Sequence, residues 1–203
     1  MKRNRGQKNL VKWASSWQNE EVFTAFDTET TGLSSQTGHV IEIGAVKFNC
    51  NGILASYSSL IQSPVSIPYI ITKITGISDS TLTGAPSVSV VLRDFFQFID
   101  GTKLIAHNIR FDTSFIDSEC QRLLWPKLKK PNVPGIDTVY FSKCVFPELE
   151  KHNLQFLAKS LNIDPGRAHR AYDDARVCKE IFELCCKRVL EENINRGELL
   201  QDQ

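Results

Sequence analysis

The stretch VFTAFDTETTGL (22–33), followed by VIEIGAVKF (40–48) and, across Asn51-Gly52, by ILASYSSLI (53–61), decides the fold. Each run is rich in β-branched and aromatic residues, and Thr31-Gly32 with the Ser/Thr/Gly stretch to Gly38 separates the first two. Asn51-Gly52 is a strong hairpin signal, because both residue types tolerate the positive φ of a type I′ turn. Three antiparallel strands are therefore expected to open the chain. From Ser87 the period changes. Val88, Val91, Leu92, Phe95, Phe96 and Ile99 follow helical spacing, with Ser87 placed as N-cap. Residues 103–107 read as a short buried strand and 111–124 as an amphipathic helix. Residues 125–135, with three prolines and three lysines, read as a loop. Shorter helices are expected near 138–146 and 153–161, and a long one near 171–192 that buries Ala175, Cys178, Phe182, Cys185 and Val189. This order predicts an α/β domain, a mixed sheet covered by helices, spanning residues 21–192. Residues 1–20 are expected to form a basic, frayed tail, and 193–203 a short polar one.

A chain of 203 residues with 41% hydrophobic side chains is long and apolar enough for one cored domain, which excludes a disordered segment or a coiled coil. No run approaches the ~18 apolar residues of a membrane span. The charged N-terminus, MKRNRGQKNLVKW, has no apolar stretch behind it, so a secretory signal is not expected. Cys50, Cys120, Cys144, Cys178, Cys185 and Cys186 form no C-x-x-C pair, and the expectation is free thiols in a reducing cytoplasm. The formal net charge of +1 gives no sign of a nucleic-acid partner. Its distribution says more. Residues 1–19 hold five basic side chains and no acid, leaving 19 basic against 23 acidic side chains, a net of −4, for the rest.

Asp27 and Glu29 lie two residues apart at the end of an apolar strand, where period-two geometry points both carboxylates to one face. Two like charges side by side raise each other's pKa, a cost that a bound cation removes. Oxygen ligands of this kind suit Mg²⁺ or Mn²⁺; the alternative is a pair of solvated loop acids. HNIRFD (107–112) delivers Asp112 where a strand hands over to a helix. HRAYDDA (169–175) places His169 five positions before Asp174, in the first turn of the last helix. Acids there can also serve only as partners of the helix dipole. His39, His107 and His152 lack such an acidic partner along the chain.

DTETTGL (27–33), HNIRFD and HRAYDDA, in this order and spacing, resemble the three motifs of the DEDD exonucleases, His subgroup, the family of the DNA polymerase III epsilon proofreading subunit. VIEIGAVKF, ITGI (74–77) and IDT (136–138) look like the same family, and the resemblance covers about residues 21–190. It implies a ribonuclease H-like five-stranded mixed sheet and a 3′-5′ exonuclease that releases nucleoside monophosphates from a single-stranded or frayed 3′ end of DNA. It implies metal binding by Asp27, Glu29, Asp112 and Asp174, two Mg²⁺ or Mn²⁺ ions bridged by Asp27, and His169 as general base. The family interval selects Asp174 over Asp173; Asp137 and Glu42 are expected to be structural. Thr30, Thr31, Gly32 and Leu33 are expected to line the terminal-nucleotide pocket, with His107 and Asn108 near the substrate, although a structural role for His107 is an equal alternative. Lys127, Lys129 and Lys130 are candidates for phosphate contacts. Three other readings stand beside this one: an RNA exonuclease of the same fold, oligoribonuclease-like or tRNA-trimming; an assembly subunit bound to a DNA polymerase; and an internally cutting nuclease of the same superfamily.

Overall fold

The computed structural model describes residues 5–125 and 135–198. Lys127, Lys129 and Lys130 lie outside the described residues. Among the described residues, five strands, β1 (Phe23–Thr30), β2 (Val40–Asn49), β3 (Gly52–Leu60), β4 (Lys103–Ala106) and β5 (Ile136–Asp137), form one sheet in the order β3-β2-β1-β4-β5. The first three pair antiparallel, whereas β4 runs parallel to β1 and β5 parallel to β4. The helices are α1 (Arg5–Gln18), α2 (Tyr69–Thr75), α3 (Asp79–Leu82), α4 (Val88–Ile99), α5 (Ile109–Arg122), α6 (Thr138–Val145), α7 (Leu154–Ser160) and α8 (Ala171–Glu198). Among the described residues no helix is long and apolar enough to cross a membrane.

Alternation along β1 sorts the two layers. Phe23 and Ala25 face a core shared with α1, α6 and α8, whereas Phe26 faces the one built with α4 and α5. Because Asp27 and Glu29 continue the Phe23 and Ala25 register, they emerge on the α8 side of the central strand. β2 continues the pattern, with Gly44 opposite Asp27 and Glu42 opposite Glu29. Asp137 caps α6 by accepting the Val139 N–H at 2.9 Å, and Asn153 caps α7 by accepting that of Phe156 at 2.9 Å. Ser87 stands at the start of α4 as expected, but its side chain makes no capping bond there.

Two expectations about the ends are corrected. Residues 5–18 do not fray; they form α1, with Leu10, Ala14 and Trp17 buried in the core shared with α8. An isolated helix of this length is marginal in water. Burial of a large apolar side chain contributes about 1.5–3 kcal/mol, so this spacing on one face outweighs the fraying favoured by the basic residues. Likewise, α8 continues to Glu198, past the expected end of the domain at 192. All six cysteines are free thiols, with Cys120, Cys178, Cys185 and Cys186 buried.

Candidate active site

Four carboxylates meet at the C-terminal end of β1. Asp27 and Glu29 come from the strand itself, Asp112 from the first turn of α5, and Asp174 from the first turn of α8. Asp112, 2% exposed, accepts hydrogen bonds from the Thr28 amide at 3.0 Å and the Thr28 hydroxyl at 2.8 Å, which ties α5 to β1. Asp174, 5% exposed, accepts from the His169 amide at 3.1 Å and from Gln155 Nε2 at 3.2 Å. Ligand atoms of Glu29, His169 and Asp174 all lie within 4.8 Å of one another. Asp27 and Asp112 join this trio through their charges, which act on one another and on Glu29.

The α8 N-terminus is seated by an ion pair between a half-buried arginine and a buried glutamate. Arg170 donates to Glu42 through Nη2 at 2.7 Å and Nε at 3.1 Å, and the Ala171 amide donates to the same carboxylate at 3.1 Å. Glu42 is 1% exposed, so an unpaired carboxylate there would cost about 3–5 kcal/mol. His169 sits just before this anchor with φ of 62°, a left-handed conformation uncommon for a residue with a Cβ. The hydrogen bond to Asp174 and the Arg170–Glu42 pair on either side of it hold that conformation.

Electrostatics set the chemistry. Burial lifts the Asp27 carboxyl well above the ordinary range, and the charges of Asp112, Glu29, Asp174 and Glu42 lift it further. Burial and the charges of Asp174, Glu42 and Asp112 push Glu29 up to about 8, against the pull of Arg170. Burial pushes Asp112 to about 7 despite the bonds from Thr28, and Asp174 to about 6 despite His169 and Gln155. The donor set therefore suits a divalent cation: carboxylate oxygens dominate, and their repulsion is what such an ion relieves. A carboxyl whose folded pKa is raised stabilises the fold below its unfolded pKa, and that contribution is lost as pH rises through the folded value. With chelator present, the melting temperature is expected to fall as pH rises from about 4 to about 8, and divalent ions to reverse most of the fall. A flat or rising profile over that window would refute this account of the cluster.

Several expected residues fall outside the acidic centre. His107 uses both ring nitrogens internally: Nε2 faces the His152 carbonyl at 2.8 Å and must carry the proton, which leaves Nδ1 to accept from Thr138 Oγ1 at 2.9 Å. Burial lowers its pKa to about 4, so the ring stays neutral and joins the end of β4 to α6. Asn108, in a left-handed conformation, donates its amide to Asp137 at 3.2 Å. Asp137 accepts from the Asn108 and Val139 amides, and Glu42 is taken up by Arg170 and the Ala171 amide. Leu33 is 90% exposed, and around Gly32 there is open space where a Cβ would point. His39 does have an acidic partner, Glu119, 80 positions away and invisible along the chain. Thr28, Gln155 and Arg170 were missed, since no local pattern marks a residue whose partner lies in another element.

The four carboxylates gather at the end of the central strand of a mixed five-stranded sheet flanked by helices, an arrangement able to hold divalent cations. The chain belongs to the exonuclease family, whose model, described as Exonuclease (RNase_T), matches residues 24–182, and within it to the epsilon-like exonuclease domains, which work with divalent metal ions. It is 42% identical over 175 residues to the DNA polymerase III subunit epsilon of Treponema pallidum (strain Nichols), covering 85% of this chain and 80% of that protein. It is 38% identical over 173 residues to the PolC-type DNA polymerase III of Clostridium perfringens, covering 85% of this chain but only 12% of that much longer protein. Among solved structures, the nuclease domain of 3′hExo, a DEDDh family member bound to rAMP, shares the fold with a TM-score of 0.72 at 18% identity, covering 85% of this chain and 93% of that one. E. coli Exonuclease I in complex with a dT13 oligonucleotide gives a TM-score of 0.75 at 14% identity, covering 87% and 43%.

Proposed function

We propose that this enzyme removes nucleoside monophosphates from the 3′ end of single-stranded or frayed DNA, as a proofreading nuclease associated with a replicative DNA polymerase in the cytoplasm. The observation that carries the reading is the convergence of Asp27, Glu29, Asp112 and Asp174 beside His169. These four carboxylates would hold two divalent ions, Mg²⁺ or Mn²⁺, which when bound supply positive charge to the phosphodiester and acidify a water molecule. His169, exposed at the rim with a ring nitrogen near Glu29 and Asp174, takes the proton of the attacking water; an imidazole suits such a transfer near neutral pH. Thr30, Thr31, Gly32 and Leu33 form the wall against which the terminal nucleotide rests, the open face of Gly32 admitting its backbone and Leu33 its base. Asn108 lies near the same end of β4, whereas His107 positions its neighbours and does not touch substrate.

DNA is preferred over RNA because the relative at 42% identity is a DNA polymerase III subunit. The test compares matched, 5′-labelled single-stranded DNA and RNA with the same DNA closed into a circle. Expected are chelator-sensitive release of mononucleotides from the 3′ end of linear DNA, an intact circle, and no release by Asp174→Ala. Cleavage of the circle, or faster degradation of RNA by more than about tenfold, about 1.4 kcal/mol in the barrier, would overturn the assignment.

A further inference from the structure

The loop between β1 and β2 carries Leu33 into solvent, yet its own residues are mostly small and polar. What holds it is helix α5. Within the loop, the Thr31 amide donates to the His39 carbonyl at 2.9 Å, and the His39 amide donates to Thr31 Oγ1 at 2.9 Å. Outside it, Arg122 Nη2 donates to the carbonyl oxygens of Ser35 at 2.9 Å and Gln36 at 3.1 Å, while Nη1 donates to Glu119 at 2.8 Å. Glu119, 3% exposed, also accepts from the Val40 amide at 3.2 Å and from His39 Nδ1 at 3.1 Å. One buried carboxylate thus gathers three donors from the helix, the loop end and the start of β2. Phe115 completes the contact, lying 3.0 Å from where a Cβ on Gly38 would sit. Phe115, Glu119 and Arg122 follow Asp112 along α5 at helical spacing, so one rigid element holds the acidic centre at its first turn and the loop at its last.

We propose that Glu119 and Arg122 are positioning residues that brace this loop as a preformed wall for the terminal nucleotide. The proposal rests on the reading of residues 30–33 given above. A guanidinium is suited to the task, because its planar fork reaches a carboxylate and two carbonyl oxygens together, whereas an ammonium is a point charge. Without the brace the loop must be ordered by the substrate, and that cost falls on binding. The chemical step is spared, since Asp112 is fixed independently by Thr28.

The experiment measures KM and kcat on a short single-stranded DNA at saturating divalent ion, with thermal melts on the same preparations. Arg122→Ala is expected to raise KM about tenfold while kcat stays within about twofold, because the lost interaction serves ground and transition states alike. The inhibition constant of deoxyadenosine monophosphate should rise in the same proportion, and Arg122→Lys should recover only part of the loss. Leu33→Ala is the companion variant, expected to raise KM as well. If Leu33→Ala raises KM but Arg122→Ala leaves it unchanged, or lowers only the melting temperature or kcat, the brace is refuted while the pocket stands. If neither variant changes KM, the pocket reading fails and the brace with it.

Discussion

Asp27→Asn is expected to abolish release of mononucleotides and at the same time to raise the melting temperature of the metal-free protein. Burial raises Asp27 well above its ordinary range, and the charges of Asp112, Glu29, Asp174 and Glu42, all negative, raise it further. An amide keeps the shape and removes the charge. Loss of a carboxylate that holds a catalytic ion removes several kcal/mol of transition-state stabilisation, so activity should fall by about 10³-fold or more. Relief of repulsion in a site built for function rather than stability commonly contributes about 0.5–2 kcal/mol. In a chain of this length each kcal/mol is roughly 2–4 °C, so the expected gain is a few degrees above neutral pH with chelator present. The gain should vanish near pH 4, where the wild-type carboxyl is already protonated. A variant that loses activity and also melts lower at pH 8 would show that Asp27 supports the fold, contrary to this account.

Gly44→Ala is expected to disable the enzyme through a single methyl group outside the acidic centre. A Cβ on Gly44 would lie 2.1 Å from the Tyr172 nitrogen and 2.2 Å from the Ala171 carbonyl carbon, both backbone atoms at the start of α8. Backbone cannot turn aside as a flexible side chain can, so the helix start must move away from β2. Arg170, Glu42, His169 and Asp174 share that junction. Overpacking of this kind costs about 1–3 kcal/mol, and a displacement near 1 Å at a catalytic centre costs about 10²-fold in rate. The decisive measurement is kcat on protein whose circular dichroism spectrum shows it folded; activity within about threefold of wild type would mean that α8 has slack the structure does not display.

The contrast between these two positions explains what the sequence made legible. Asp27 is readable because strand alternation places it on one face with Glu29 two residues on, and because DTETTGL, HNIRFD and HRAYDDA are each short local motifs that resemble the family's. So are the hairpin at Asn51-Gly52 and the helices with clear apolar periods. Gly44 reads as an ordinary strand residue in VIEIGAVKF, because the atoms that demand a glycine there arrive 127 positions later. Separation along the chain likewise hid Arg170 from Glu42, 128 positions apart, and Gln155 from Asp174, 19 positions apart in another helix. Helices α2 and α3, one or two turns long, are too short to show a period, and β5 has only two residues. In α1 the basic residues mask the helical spacing of Leu10, Ala14 and Trp17, whose burial orders the segment.

That helix has a consequence for what counts as the unit of this protein. The family match spans residues 24–182, yet Leu10, Ala14 and Trp17 before it share one apolar seam with Cys185, Cys186 and Val189 after it. The packed unit is therefore wider than the matched stretch, closed by a clasp that joins segments on either side of it. Because α8 starts just after His169 and carries Cys185, Cys186 and Val189 of that clasp, the helix that presents Asp174 to the acidic cluster is fastened by residues outside the family match.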